Sequence, residues 1–92
     1  MAKQVSAAHI LVDSEKKAAE IKEKINNGSS FADMAKKHSS CPSGRKGGDL
    51  GWFGPGDMVP EFEKAAFSAK KGDIIIVRTK FGWHLLLVKD MK

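Results

Sequence analysis

His9 and His84 each stand in an apolar run, Ala-Ala-His-Ile-Leu-Val and Trp-His-Leu-Leu-Leu-Val. Between them lies Ser40-Cys41-Pro42-Ser43-Gly44, which holds the chain's one cysteine, and Gly47-Gly48-Asp49-Leu50-Gly51 follows. A thiol, hydroxyls and two imidazoles can ligate a metal, activate a nucleophile, or polarise a carbonyl by hydrogen bonding. A metal site would have to combine His38-x-x-Cys41 with His9 and His84, and no CxxC or HxxxH spacing supports it. A Cys41–histidine nucleophile has no thiol-protease signature around it, and a short chain leaves little room for an oxyanion hole and a cleft. Gly44-Arg45-Lys46-Gly47-Gly48 lacks the spacing of a phosphate-cradling loop, and no GxGxxG follows a strand. Taken alone, each histidine reads as a hydrogen-bonded core residue. Two of them, with Thr79 and a cysteine at the head of a glycine-rich loop, read as a site.

The elements that must position these groups follow from periodicity. Residues 6–12 alternate as a strand, with His9 and Leu11 on one face and Ala8, Ile10 and Val12 on the other. Asp13 or Ser14 caps a helix running to about Asn27, with Ala18, Ile21 and Ile25 as its buried stripe and Gly28 at its end. Ser30-x-x-Asp33 resembles a capping box for a second, short helix that stops near His38, with Phe31, Met34 and Ala35 facing inward. Residues 39–57 hold six of the nine glycines and form a long loop. Leu50, Trp52 and Phe53 should pin it to the core, with a short strand near 51–53. Pro60 suits the first turn of a third helix that ends at Gly72, with Phe62, Ala65, Ala66 and Phe67 inward. Residues 74–78 and 83–89 read as strands around the turn Thr79-Lys80-Phe81-Gly82, with His84, Leu86 and Val88 sharing a face. The order is α+β: a small sheet covered by helices.

Ninety-two residues with 41% apolar and 29% charged content make one domain with one core. No run of about 18 apolar residues exists, which excludes a membrane-spanning helix. The N-terminus lacks an apolar h-region, and one cysteine cannot form an internal disulfide, so a cytoplasmic protein is expected; it is also expected to be a monomer. The net charge is +5. Lysines along the helices suggest solvated faces, with weak electrostatic contact to an anionic membrane surface or nucleic acid, and a peripheral position at the inner membrane face.

His9-Ile-Leu-Val, Ser39-Ser-Cys-Pro-Ser-Gly, Gly47-Gly-Asp-Leu-Gly, Met58-Val-Pro-Glu-Phe and Thr79-Lys-Phe-Gly-Trp-His resemble the motifs of the parvulin family of peptidyl-prolyl cis/trans isomerases. The resemblance spans the chain and implies a four-stranded antiparallel sheet surrounded by about four helices. It implies proline-containing polypeptides as substrates, a role in protein folding, and no cofactor or metal. His9 and His84 would be the paired histidines beneath the active site, and Cys41 the thiol at its centre. Leu50, Met58 and Phe62 would grip the proline ring, Phe81 would line the site, and Thr79 and Ser40 would join the histidine network. Ser40 departs from the aspartate of many relatives. The connection Asp13-Ser14-Glu15 is short and acidic where phosphate-directed parvulins carry a long basic loop, so no preference for phosphorylated substrates is expected.

Overall fold

Alternating apolar residues build a four-stranded antiparallel sheet. The computed structural model describes residues 3–40 and 42–92. In chain order the elements are β1 (Val5–Val12), α1 (Glu15–Asn26), α2 (Phe31–His38), a 3₁₀ turn (Pro42–Lys46), β2 (Asp49–Phe53), α3 (Pro60–Ser68), β3 (Ile74–Thr79) and β4 (Gly82–Met91). The strand order is β2-β1-β4-β3. The four helices expected around the sheet are thus three α-helices and one 3₁₀ turn inside the glycine-rich segment. No described helix is long and apolar enough to cross a membrane.

The two sheet faces take different covers. Ile10, Val12 and Leu85 point to one face, where α1 contributes Ala18 and Ile21 and α2 contributes Ala35. Val5, Ala7, Val77, Leu86 and Val88 point to the other, where α3 contributes Phe62 and Ala66. Ile74 and Ile76 pack against the first cluster and Ile75 against the second. That triple isoleucine therefore serves both sides of an edge strand.

Local chemistry sets the helix ends. Ser14 Oγ accepts from the Lys17 N–H at 3.1 Å, and Ser30 Oγ from the Asp33 N–H at 3.3 Å. Pro60 occupies the first turn of α3 beside Glu61 and Glu63. The third helix is shorter than its sequence suggests. It stops at Ser68, and the Lys70 N–H donates to Asp73 Oδ2 at 2.9 Å in a separate turn. Gly72 donates its N–H to the Val88 carbonyl at 2.7 Å, so it leads into the sheet and does not cap the helix.

The described part of the glycine-rich segment holds the 3₁₀ turn Pro42–Lys46 and the strand β2 in place of an irregular loop. Leu50 and Phe53 meet the core as expected, but Trp52 is 43% exposed. The expected short strand begins two residues earlier, at Asp49. The flanks of the cysteine motif are tied to β1: the Leu11 N–H donates to Ser39 Oγ (3.0 Å), the Ser40 N–H to the Leu11 carbonyl (2.8 Å), and the His9 N–H to the Gly48 carbonyl (2.9 Å). Gly48 has φ +83, and a Cβ there would sit 2.3 Å from the His9 carbonyl oxygen. Only glycine permits both the conformation and the approach.

Candidate functional site

Strand register brings the two histidines together. His9 pairs with Leu86 and Leu11 with His84 across β1 and β4, so the imidazoles are diagonal neighbours on one face. Their Nδ1 atoms lie 2.9 Å apart and the rings are within 14° of parallel. His84 Nε2 lies 2.7 Å from Thr79 Oγ1, which also accepts from the Phe81 N–H at 3.2 Å. Phe62 on α3 sets its ring edge-on to both imidazoles, at 5.7 and 5.4 Å between centres. The product is a buried chain, His9–His84–Thr79, roofed by an aromatic ring.

Burial keeps this chain neutral. Loss of solvent lowers the proton affinity of His9 to a pKa of about 4, with the neighbouring His84 adding to the effect. His84 is also lowered, by burial. Two neutral imidazoles can share one Nδ1 proton, whereas two imidazolium rings would set N–H against N–H. Thr79 can donate to or accept from His84, so the chain supports either sense of hydrogen-bond direction.

Beside the histidines opens a cleft of about 490 Å³. Leu50, Met58, Val59 and Phe62 supply apolar walls, Phe81 and Leu11 line it further, and Ser40 and Asp57 supply its other polar groups. This volume lies in the range of small-ligand sites. Leu50 gets there through a β-bulge. Ala7 pairs with Gly51 and Ala8 with Asp49, which leaves Leu50 as the extra residue. Gly51 has φ +69, and Asp49 Oδ1 accepts its N–H at 3.1 Å. A bulge of this kind re-aims a side chain.

Most of the residues singled out by sequence converge here. His9 and His84 meet, and Leu50, Met58, Phe62 and Phe81 line one cleft. Phe81 is 61% exposed at that site. Thr79 is buried behind the histidines and does not line the cleft. Ser40 lines the cleft but is exposed, and the described hydrogen-bond chain of the histidines does not run through it. Its backbone N–H donates to the Leu11 carbonyl, which ties it to β1 beside the cleft. Cys41 lies outside the described residues. Among the described residues no three potential metal ligands converge. The Nδ1 atoms of His9 and His84 are directed at each other. Leu11, Val59 and Asp57 were missed as cleft residues. Leu11 shares a face with His9 by simple alternation, and Val59 directly precedes Pro60. Asp57 carries only a turn signal.

Comparison with known proteins agrees with this geometry. The PPIC-type PPIase domain family model matches residues 1–92. The foldase protein PrsA of Geobacillus kaustophilus is 48% identical over 89 residues, which cover 95% of this chain and 32% of that protein. The crystal structure of the peptidylprolyl isomerase PrsA from Bacillus anthracis superposes with a TM-score of 0.94 at 43% identity, over 99% of this chain and 43% of that one. NmPin, the parvulin of Nitrosopumilus maritimus, superposes with a TM-score of 0.89 at 34% identity, over 98% of this chain and 99% of that one. The chain spans about a third of the length of the PrsA relative. With the paired histidines, the sheet order and the match along its whole length, the chain belongs to the PPIC-type peptidyl-prolyl isomerase domain family.

Proposed function

We propose that this domain accelerates cis/trans isomerisation of X-Pro bonds in flexible or unfolded polypeptides, and so assists folding. The observation that carries this reading is an apolar cleft built against a buried, neutral His–His–Thr chain. The X-Pro bond rotates over a barrier of about 18–20 kcal/mol, set by amide resonance, and takes tens to hundreds of seconds unaided. The transition state is a twisted amide, and no bond need break. Leu50, Met58 and Phe62 grip the pyrrolidine ring; Met58 adapts its shape, and Phe62 offers a flat face. Binding the twisted form more tightly than either planar form lowers the barrier.

The histidine chain contributes fixed dipoles and rigidity. An imidazole whose pKa is about 4 carries no charge at neutral pH, so it neither opposes a thiolate nor delivers a proton readily. That favours a non-covalent path over attack by Cys41. A protease-coupled or exchange NMR assay on a prolyl peptide tests the activity directly: acceleration is expected, and a rate equal to buffer sinks the proposal. Cys41→Ala should retain measurable activity; a loss as deep as in a cleft-blocked variant refutes the non-covalent path. A phosphoserine-proline peptide should not outpace its unphosphorylated counterpart.

The expected cytoplasmic monomer and surface contacts belong to the same proposal. Lys17, Lys24 and Lys37 surround His38 closely enough to lower its proton affinity, after the larger effect of burial. This concentration of charge on α1 and α2 supports weak attraction to anionic lipid or nucleic acid. Binding to anionic vesicles or DNA should disappear above about 0.3 M salt if it is purely electrostatic. Sedimentation and cell fractionation test the other two expectations.

A further inference from the structure

Resting on the isomerase reading, we propose that Asp57 makes the cleft select polypeptides with Lys or Arg next to the proline, and reject acidic residues there. Among the described residues that line the cleft, Asp57 has the only carboxylate, and no Lys or Arg side chain lines it. No described ion pair engages it: the two that involve aspartates are Lys71–Asp90 and Lys89–Asp49. The carboxylate is held in place. Its Oδ2 accepts the Gly54 N–H at 2.8 Å, and the Asp57 N–H closes the same turn on the Gly54 carbonyl at 3.2 Å. The turn is tied in its own right to α3, where Glu63 Oε1 accepts the Gly56 N–H.

Asp57 is exposed, so its charge acts at short range, is worth a modest factor for a single pair, and is screened by salt. It lines the cleft from that exposed position, so the chain neighbours of a proline ring held there come within reach of its carboxylate. A Lys or Arg there can lay its methylene stem on Met58 and set its head group at the carboxylate. The histidines bring no competing positive charge, since burial keeps both neutral. The net charge of +5 acts in the opposite sense at long range, but salt screens it beyond about 8–10 Å. Lys80, with Nζ 5.2 Å from the Phe81 ring centre, is the cation recorded against a cleft-lining side chain and provides the control.

The test uses N-acetylated, C-amidated tetrapeptides with Lys, Gln or Glu before the proline, and a second set varied after it. Exchange NMR reads kcat/KM without a helper protease. In one set or both, Lys should exceed Glu by about three- to tenfold at low salt, and the gap should narrow at about 0.5 M salt. Asp57→Asn retains an acceptor for the Gly54 N–H and should level the ranking; Asp57→Lys should reverse it; Lys80→Gln should preserve it. Equal rates in both sets, or a ranking that survives Asp57→Asn, overturns the role of Asp57. If no peptide isomerises faster than in buffer, the isomerase reading fails. Dissociation constants from amide shifts with the same peptides then decide the charge selection: tighter Lys binding supports it, and equal binding overturns it.

Discussion

The two faces of the sheet are built from alternate residues of the same strands, yet they end in different chemistry. On the α1–α2 side, Ile10, Val12 and Leu85 meet Ala18, Ile21 and Ala35, and every buried member is apolar. On the α3 side, the same alternation carries His9, His84 and Thr79 among Val5, Val77 and Leu86. The single helix there leaves a cleft open beside the imidazoles. Two helices close one core; one helix and a bulged strand leave a ligand-sized gap. The polar residues are tolerated on that side because each buried polar side-chain atom among the described residues has a partner.

Substitutions can break this contrast in order of size. Leu85→Ala on the closed face should cost about 2–5 kcal/mol in urea unfolding, with peptide binding intact in the fraction that remains folded. A comparable loss of binding with little loss of stability would mean that the faces are not separable. Acidification should act through the open face. His9 has a pKa of about 4 folded against 6.5 unfolded, so the unfolded chain takes up the proton first. Stability is complete above about pH 6.5 and falls as pH drops toward 4, by about 3 kcal/mol from His9 alone, with His84 adding in the same direction. A flat stability profile from pH 7 to 4, measured by urea midpoints, contradicts this.

Thr79→Val sharpens the role of the buried chain. It strands His84 Nε2 without changing side-chain shape and should cost about 1–3 kcal/mol. Because Thr79 lies behind the cleft, kcat should fall more than KM rises, and Thr79→Ser should restore it. Met58→Ala should be the mildest for folding, below about 1 kcal/mol, since this side chain is only partly buried. Its signature is a rise of about tenfold in peptide dissociation constant, read from amide shifts. If Met58→Ala instead unfolds the protein while peptide affinity is retained, the residue belongs to the core and not to the cleft.

The elements were readable because their local signals agree. Strand alternation, Ser14 and Ser30 as caps, and Pro60 at a helix start all use interactions within a few residues. The local reading fails where a competing turn or the place of a strand in the sheet overrides it. The third helix reads as running to Gly72, but Asp73, three residues along, captures the Lys70 N–H and the helix stops at Ser68. Trp52 looks like core, yet its place on an edge strand leaves it partly in solvent beside Lys92, whose Nζ is 4.7 Å from the ring centre. Asp57 gave no sign of lining a cleft, because a turn aspartate reads the same wherever the turn lies.

By itself the sequence determined which residues are on strands, which face each one takes, and which residue types are on hand for chemistry. Those choices rest on period-2 alternation and on short-range hydrogen bonding. Tertiary structure decided the β1–β4 register that puts His9 against His84 across 75 positions. It also decided the burial that keeps both imidazoles neutral and the bulge that turns Leu50 into the cleft. A one-residue slip of β4 would send His84 to the opposite face, and no local signal specifies that alignment. It is set by the fit of two apolar cores on either side of the sheet.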